Sequence, residues 1–161
     1  MSAPITPVVF GVALMSGGIA QLIAGVIHIR TGYTYAGVLF SAFGAFWLSL
    51  YGIAELSLKG IPAGHAGQVL GLFLYAFGIF TVIMLIASFR TNMVIVVALA
   101  DLVATFFVLG AGNYYGSGRT VETGGYLGLV AAALAADIAL AELCEAAYKR
   151  VVVPHWPLAK H

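Results

Sequence analysis

Five long apolar segments follow one another along the chain, separated by short polar or turn-forming stretches. Each is long enough to cross the hydrocarbon core of a membrane as a helix, which takes about 20 apolar residues. A closed barrel would need alternating segments of about ten residues instead, and the sequence does not show that alternation. We therefore predict an all-α, polytopic membrane helical bundle, a single membrane domain over 1–161, with helices at about 7–29, 34–57, 66–89, 92–112 and 124–148 and a basic tail at 149–161.

The composition narrows the class further. Of the 161 residues, 62% are hydrophobic and only 8% are charged, whereas soluble domains carry roughly a quarter charged residues. A net charge of +1 leaves no basic footprint for nucleic acid. The N-terminus lacks the basic region and cleavage site of a signal peptide, so we expect the first segment to be a retained helix. The prediction is a multi-pass protein of the cell (plasma or inner) membrane.

The positive charges in the connections indicate the orientation. Because cytoplasmic loops carry an excess of Lys and Arg, the side with more of them is predicted to be cytoplasmic. That choice places the C-terminus inside and, with five spans, the N-terminus outside. One side holds Arg30, Arg90, Lys149, Arg150 and Lys160, and the other holds Lys59 and Arg119.

Small residues recur on single helix faces. Glycines lie seven residues apart in three of the segments, and the last segment is rich in alanine. Since small residues let membrane helices approach closely, this pattern predicts a compact bundle with tight subunit contacts. The glycine pairs are Gly18 and Gly25, Gly37 and Gly44, and Gly71 and Gly78.

Carboxylates within the spans are the candidate chemistry. An ionisable side chain at membrane depth is costly and faces a partner, a cavity or a subunit interface. We expect Asp101 and Asp137 near the bilayer midplane, either as proton-relay groups or hydrogen-bonded to a hydroxyl such as Ser41 or Thr105. For Glu142, nearer the cytoplasmic end, a structural hydrogen bond and a proton-relay role stay open.

Other polar groups have local explanations. Glu145 and Lys149 have the i, i+4 spacing of an ion pair on a helix surface. Asn113 lies where a helix-end cap is expected rather than a ligand, and Cys144 is expected to be a small hydrophobe. The sequence has no H-E-x-x-H, G-x-S-x-G, Walker or haem-attachment motif. We predict that the protein is not an enzyme and needs no cofactor or metal.

Three stretches resemble a known family. GGIAQLIAGVIHIRTGYTYAGVLFSAFGAFWLSL resembles a hairpin of the acetate uptake transporter family, the bacterial acetate/succinate permeases and their fungal acetate and ammonia-export relatives. FFVLGAGN resembles the end of the family's fifth span, and GGYLGLVAAALAADIALAELCEAAYKRVVVP resembles its last helix and tail. The resemblance implies a six-helix protomer assembled as a homohexamer in the lipid bilayer. It further implies a path in each protomer for acetate or a similar small carboxylate, by proton symport or channel-like conduction.

The resemblance also carries site residues. Members of the family have a hydrophobic constriction at mid-membrane, whose tyrosine position falls on Phe43 and whose leucine position falls on Leu102. A small residue that influences substrate size falls on Ala135.

A small anion that approaches such a neck needs polar groups to bind it. The apolar neck itself controls passage by excluding water. The polar path candidates are Gln21, Ser41 and Asn113.

The chain departs from the family pattern in three ways. The family's first helix, with its Asn-Pro-Ala-Pro-Leu-Gly signature, does not precede the first segment, so the five helices match helices two to six. We expect a truncated chain, a second chain that completes it, or a reduced paralogue. Phe43 replaces the gate tyrosine, and His28 replaces a glutamate. Asp101 and Asp137 stand where uncharged residues are expected.

Two other functions stay open. A bundle that keeps the oligomer but lacks the gate helix would be a non-transporting scaffold or interaction subunit. Alternatively, the cargo is a neutral or cationic solute, because two buried anionic aspartates would repel acetate unless they are neutral or paired.

Overall fold

The computed structural model describes residues 6–57, 60–62, 64–154 and 156–158. The chain divides into two compact units, Met1–Ala66 and Gly67–His161, and each is described by itself. One membrane domain over the whole chain therefore stays a prediction. Lys59 and four residues of the tail lie outside the described residues; those of the tail are His155, Ala159, Lys160 and His161.

Helices make up nearly all of the described structure. Five stretches are long and apolar enough to cross a membrane within the described residues, which confirms the predicted all-α class. The α-helices are α1 (Thr6–Val12), α2 (Gln21–Arg30), α3 (Thr34–Gly52), α4 (Ala66–Ser88), α5 (Met93–Tyr114) and α6 (Gly118–Tyr148). A π-helical segment, Ala13–Ala20, joins α1 to α2, and a second, Ile53–Ser57, follows α3.

In the first unit, glycines on both sides let α3 lie against α2 and the π-helical segment before it. A β-carbon added at Gly25 would lie 2.9 Å from the carbonyl oxygen of Gly37, and one added at Gly37 would lie 3.0 Å from the carbonyl oxygen of Gly25. Seven residues along α3, about two helical turns, a β-carbon at Gly44 would lie 3.0 Å from the carbonyl oxygen of Gly18. The predicted glycine face is confirmed here, and it brings backbone against backbone.

The π-helical segment makes room for a large side chain. A β-carbon at Gly17 would lie 2.8 Å from the indole ring of Trp47. The ring of Phe46 packs edge-on against that indole at 5.1 Å between centroids. The π-helix is rare and occurs mostly as single turns, whereas this segment spans eight residues and has Gly17 beneath Trp47.

The turn between α2 and α3 is built around one glycine with positive φ. Gly32 has φ +90°, and the N–H of Tyr33 donates to the carbonyl of His28 at 2.9 Å. This is the hydrogen bond of a Schellman motif, in which a left-handed glycine satisfies the last carbonyls of a helix. It explains why α2 ends at Arg30.

In the second unit, α5 packs on both α4 and α6. A β-carbon at Gly71 of α4 would lie 2.8 Å from the carbonyl oxygen of Gly110. On the other side of α5, Gly112 accommodates Val121, and Gly124 of α6 accommodates Leu109. The α5–α6 contacts advance in step along the two antiparallel helices and so define their register.

The structure corrects the predicted start of α6, which lies at Gly118 rather than at residue 124. Gly116 has φ +69°, and the N–H of Ser117 donates to the carbonyl of Gly112 at 2.8 Å, closing α5. The Ser117 hydroxyl then accepts from the N–H of Thr120 at 3.4 Å and caps α6. The turn that joins α5 to α6 therefore has only three residues, 115–117. The polar residues 118–123 belong to α6, which begins before its apolar segment does.

The C-terminal tail returns to the beginning of α5. The N–H of Met93 donates to the carbonyl of Trp156 at 3.1 Å, and the N–H of Leu158 donates to the carbonyl of Thr91 at 3.0 Å. These bonds form an isolated antiparallel bridge between Asn92 and Pro157. The tail thus supplies an acceptor for a backbone N–H that the first turn of α5 would otherwise leave unpaired.

Candidate functional site

The three residues assigned to the constriction lie on three different helices. Phe43 is buried on α3, with 7% of its surface exposed. Leu102 is partly buried on α5, and Ala135 is exposed on α6. Phe43 belongs to the first compact unit and the other two residues belong to the second, so a neck formed by these residues stays a prediction.

Asp101 has a buried carboxylate oxygen. Its Oδ2 is buried and has no hydrogen-bond partner among the described residues. The hydroxyl of Thr105 donates to the backbone carbonyl of Asp101 at 2.9 Å, so the expected bond between that hydroxyl and the carboxylate is not the one formed. Since a buried unpaired polar atom costs about 1–3 kcal/mol, this oxygen needs a proton or another donor.

Ser41 is the corresponding polar group in the first unit. Its Oγ is buried and, among the described residues, has no hydrogen-bond partner. A β-carbon added at Gly25 would collide with this Oγ, so the hydroxyl sits in the α2–α3 crossing. It keeps a free capacity to donate and to accept a hydrogen bond.

Two other hydroxyls that the sequence analysis did not single out are fully buried and fully used. Thr81 Oγ1 donates to the carbonyl of Phe77 at 2.7 Å, and Ser88 Oγ donates to the carbonyl of Leu85 at 2.6 Å. Bonds to the preceding turn are the default for hydroxyls in membrane helices. Ser41 differs from both because its hydroxyl makes no such bond.

The two amide path candidates differ in their local bonding. Gln21 is partly buried at the first position of α2. Asn113 is partly buried near the end of α5, and its Nδ2 donates to the carbonyl of Leu109 at 2.8 Å. The Asn113 amide is thus bonded within its own helix, and both roles predicted for it stay predictions.

The carboxylates of α6 are exposed within the chain: Glu122, Asp137, Glu142 and Glu145. The α5–α6 register, in which Gly128 lies beside Thr105 and Gly124 beside Leu109, places Asp137 beside the first turn of α5. The depth of Asp137 in the bilayer stays a prediction.

His28, at the family's glutamate position, is built into the hairpin. Its Nδ1–H donates to the carbonyl of Ala24 at 2.8 Å. The imidazole ring lies 5.2 Å from the ring of Phe40 and 6.2 Å from that of Tyr33. These contacts make His28 part of the α2–α3 packing.

The outer face of α2 carries a shallow groove of about 350 Å³, lined by Leu22, Ile23, Val26, Ile27 and Arg30. No predicted path residue is in this lining. Within the described part of the chain, no three His, Cys, Asp or Glu side chains are grouped as a metal site would require.

Comparison with known proteins identifies relatives along the whole chain. The chain is 29% identical over 147 residues to the succinate-acetate/proton symporter SatP of Escherichia coli K12, a match that covers 91% of this chain and 78% of that protein. It is 31% identical over 134 residues to ammonia transport outward protein 2 of Saccharomyces cerevisiae, covering 80% of this chain and 47% of the yeast protein. By their names, these relatives are transporters rather than enzymes.

The solved structure of the bacterial acetate channel SatP has the same fold. It superposes with a TM-score of 0.88 at 27% identity, over 95% of this chain and 84% of that chain. The model of the GPR1/FUN34/yaaH family matches residues 1–160. With its membrane-spanning helices and a family match over nearly its whole length, the chain belongs to the GPR1/FUN34/yaaH family, which confirms the resemblance carried by its hairpin and its last helix.

Proposed function

We propose that this protein is a transporter or channel for acetate or a similar small carboxylate, with a path in each protomer of a homo-oligomer. The observation that carries the proposal is the close similarity of fold to the bacterial acetate channel SatP over 95% of the chain. The name of the Escherichia coli relative supports the same class of cargo and adds succinate.

The path is proposed to narrow at Phe43 and Leu102, with Ala135 setting the size of the cargo. Apolar side chains at a constriction stop conduction by excluding water, and they pass a solute whose own apolar part replaces that water. The methyl group of acetate suits such a neck. Phe43 has no hydroxyl, so the polar steps of the path fall to other groups.

Ser41 is proposed as a donor in that path. A carboxylate that leaves water needs hydrogen bonds to replace its hydration. The Oγ of Ser41 is buried and unpaired among the described residues, so its O–H is available without breaking a bond to its own helix. Gln21 and Asn113 are the further polar path residues.

Asp101 is proposed as the proton site that couples the proton to the carboxylate. An ionised Asp101 beside Leu102 would repel an anion in the neck, whereas the protonated form is neutral and can donate. The buried, unpaired Oδ2 is the atom that needs this proton. Asp137 and Glu142 are exposed on α6 and are proposed as secondary members of a relay.

The oligomer is proposed to be a hexamer in the cell membrane with the C-terminus cytoplasmic. Only 6% of the most apolar window of α6 is buried within the chain, against 28% for α5. The alanine-rich surface of α6 lets another helix approach closely. A second copy of this chain would cover that surface.

A second candidate cargo is ammonia or ammonium. Two observations favour it: the unpaired carboxylate oxygen of Asp101, which would attract a cation, and the yeast relative named an ammonia transport outward protein. In this case Asp101 would act in the ionised form.

Uptake of radiolabelled acetate into proteoliposomes tests the main proposal. We expect uptake to be faster at about pH 5.5 than at about pH 7.5, because more protons are available to Asp101 and to the acid. Leu102→Ala should widen the neck and admit larger carboxylates. Leu72→Ala is the matched control, because Leu72 is an exposed leucine on α4, and it should leave selectivity unchanged.

Asp101→Asn separates the two cargoes. If acetate is the cargo, the variant should retain acetate flux and lose its acceleration at low pH, because Asn does not exchange a proton. If ammonium is the cargo, methylammonium flux should fall and acetate flux should be absent in every variant. A correctly assembled oligomer that moves neither solute would overturn both proposals in favour of a scaffold.

A further inference from the structure

The C-terminal tail keeps its apolar side chains exposed although its backbone is fixed. Trp156 accepts a hydrogen bond from the N–H of Met93, yet 63% of its surface is exposed. An indole left this exposed on a hydrogen-bonded backbone is unusual, since tryptophan is highly buried on average. The ring therefore calls for a neighbour outside the chain.

Other side chains around Trp156 share this property. We call the group the tail patch, defined as Tyr148, Val151, Val152, Trp156 and Leu158, all of them exposed. Three exposed cations accompany it on the same unit: Arg90 in the α4–α5 turn, and Lys149 and Arg150 directly after α6. The acidic side chain nearest in sequence is Glu145, whose carbonyl accepts from the N–H of Lys149 at 2.9 Å.

The helix register gives the depth of the tail patch. The contacts of Gly124 and Gly128 show which residues of α6 and α5 lie side by side. When this register is continued along α6, its last two turns lie beyond Met93, the first residue of α5. At 1.5 Å per residue these turns reach about 12 Å further. The headgroup layer on each side of a bilayer is roughly 5–8 Å thick.

The chain then turns back. Lys149 adopts a left-handed conformation with φ 56°, and seven residues later the backbone is bonded to Met93. The tail therefore runs back from the end of α6, where the two cations are, to the level of the first residue of α5, where the backbone of Trp156 is. An apolar and aromatic segment with cations on its outer side matches the polarity of the headgroup layer.

We propose that the tail patch is a lipid-binding surface that lies in the headgroup layer, where Lys149, Arg150 and Arg90 bind the phosphates of anionic phospholipids. Trp156 occupies the boundary between headgroups and acyl chains, where its ring is covered by lipid and its N–H can reach a polar partner. Because three cations complement the charge of anionic headgroups, we assign lipid rather than water as the neighbour of the tail patch. The inference is independent of the cargo that the protein transports.

Tryptophan fluorescence tests where the tail patch lies. The protein has two tryptophans, Trp47 and Trp156, so Trp47→Phe leaves Trp156 as the reporter in the full chain. In vesicles of brominated phosphatidylcholine, we expect strong quenching by bromines on the first acyl carbons and weaker quenching by bromines near the chain ends. The Trp156→Phe variant gives the same measurement for Trp47 alone. If Trp47→Phe folds poorly, the signal of Trp156 is the difference between the wild type and Trp156→Phe.

Lipid retention tests the headgroup assignment. Native mass spectrometry of protein purified from vesicles containing phosphatidylglycerol should show bound phosphatidylglycerol. Its affinity should fall about fivefold for each cation removed in Lys149→Gln and Arg150→Gln. Arg119→Gln, in the first turn of α6 at the opposite end of that helix, is the matched control and should leave the retention due to Lys149 and Arg150 unchanged.

Three outcomes would overturn the proposal. Trp156 emission that is unquenched by bromolipids and quenched by aqueous acrylamide would place the tail in water. A blue-shifted emission that neither agent quenches would place a protein surface over it. Equal retention of phosphatidylglycerol by the Gln variants and the wild type would show that these cations do not select the lipid.

Discussion

The helix pair α2–α3 and the helix pair α5–α6 use glycine in different ways. In the first, glycine faces glycine: Gly25 lies against Gly37, and Gly44 against Gly18. In the second, glycine faces a larger residue: the atoms nearest to Gly124 belong to the side chain of Leu109, and those nearest to Gly112 belong to the backbone and side chain of Val121. Backbone cannot move aside as a side chain can, so a methyl group at Gly44, which meets backbone atoms of Leu22 and Gly18, is harder to accommodate than one at Gly124.

The two pairs also differ in how much surface they leave for others. In the most apolar windows, 22% of Thr34–Glu55 is buried within the chain but only 6% of α6 is. The uncovered surface of α6 carries Asp137 and Glu142. We infer that α6, more than α3, depends on a neighbouring subunit or on lipid to cover its apolar surface.

The largest expected effect comes from closing the glycine crossing of the first pair. In Gly25→Ala combined with Gly44→Ala, each new methyl meets backbone atoms: that at Gly44 would lie 2.8 Å from the backbone N of Leu22. Overpacking costs about 1–3 kcal/mol per site, so we expect a loss of about 3 kcal/mol or more. Chemical unfolding of the purified protein in detergent, followed by circular dichroism, measures it.

Gly11→Ala with Gly52→Ala is the control for that prediction. Nothing lies within 4 Å of a β-carbon at either position, although both glycines are on the same helical spans. These substitutions should be neutral or slightly stabilising, since Ala is about 1 kcal/mol better than Gly inside a helix. Equal destabilisation by both pairs would remove the contrast between crossing and non-crossing glycines.

The second pair should tolerate a methyl group better. In Gly124→Ala the new β-carbon would meet Leu109, at 2.6 Å from its Cδ2 and 3.1 Å from its backbone N. The leucine side chain can rotate away, so we expect a loss of about 1–2 kcal/mol in the same unfolding measurement. Gly125→Ala, with open space at the adjacent position, should cost nothing, and a larger cost at Gly124 than in the first pair would reverse the comparison.

The helix crossings could be predicted from the sequence because they depend on spacing alone. Glycines seven residues apart lie on one face of a helix, so the face containing Gly18 and Gly25 was available from the pattern. The five spans were similarly predictable, because hydropathy and length are what the bilayer imposes. The start of α6 was not, since the hydrogen bond of Ser117 and the positive φ of Gly116 matter more there than hydropathy.

The candidate site was less predictable, for two physical reasons. The sequence does not show which acceptor a hydroxyl chooses: Thr105 donates to the backbone carbonyl of Asp101 and leaves the carboxylate oxygen unpaired. A constriction formed by Phe43 and Leu102 also depends on the arrangement of two compact units. From the sequence, Phe43, Leu102 and Ala135 could be assigned to positions of the family's constriction only by resemblance.

The two pairs also differ in how the first turn of a helix is capped. The side chain of Asn92 accepts from the N–H of Ile95 at 3.0 Å at the start of α5, whereas Tyr33 makes no side-chain cap at the start of α3. Asn92→Ala should cost about 1 kcal/mol, and Tyr33→Asn should gain a few tenths of that. The same denaturant curves measure both, and an unchanged midpoint for Asn92→Ala would mean that the tail's bond to Met93 holds this helix end alone.

The smallest effect on the stability of the single chain is expected at Asp137, and it is the most informative about α6. Its side chain is exposed within the chain, so Asp137→Asn should change the free energy of unfolding of the dissociated protomer by less than about 0.5 kcal/mol. If the uncovered surface of α6 faces another subunit, the same substitution should change subunit dissociation by more, about 1 kcal/mol or above, because charged groups that lose water on assembly contribute strongly. Light scattering across a dilution series measures dissociation, with the exposed Glu122→Gln near the start of α6 as the control. A variant that alters unfolding of the protomer but not dissociation would place Asp137 in an internal role and remove the reason for covering α6 with a second copy.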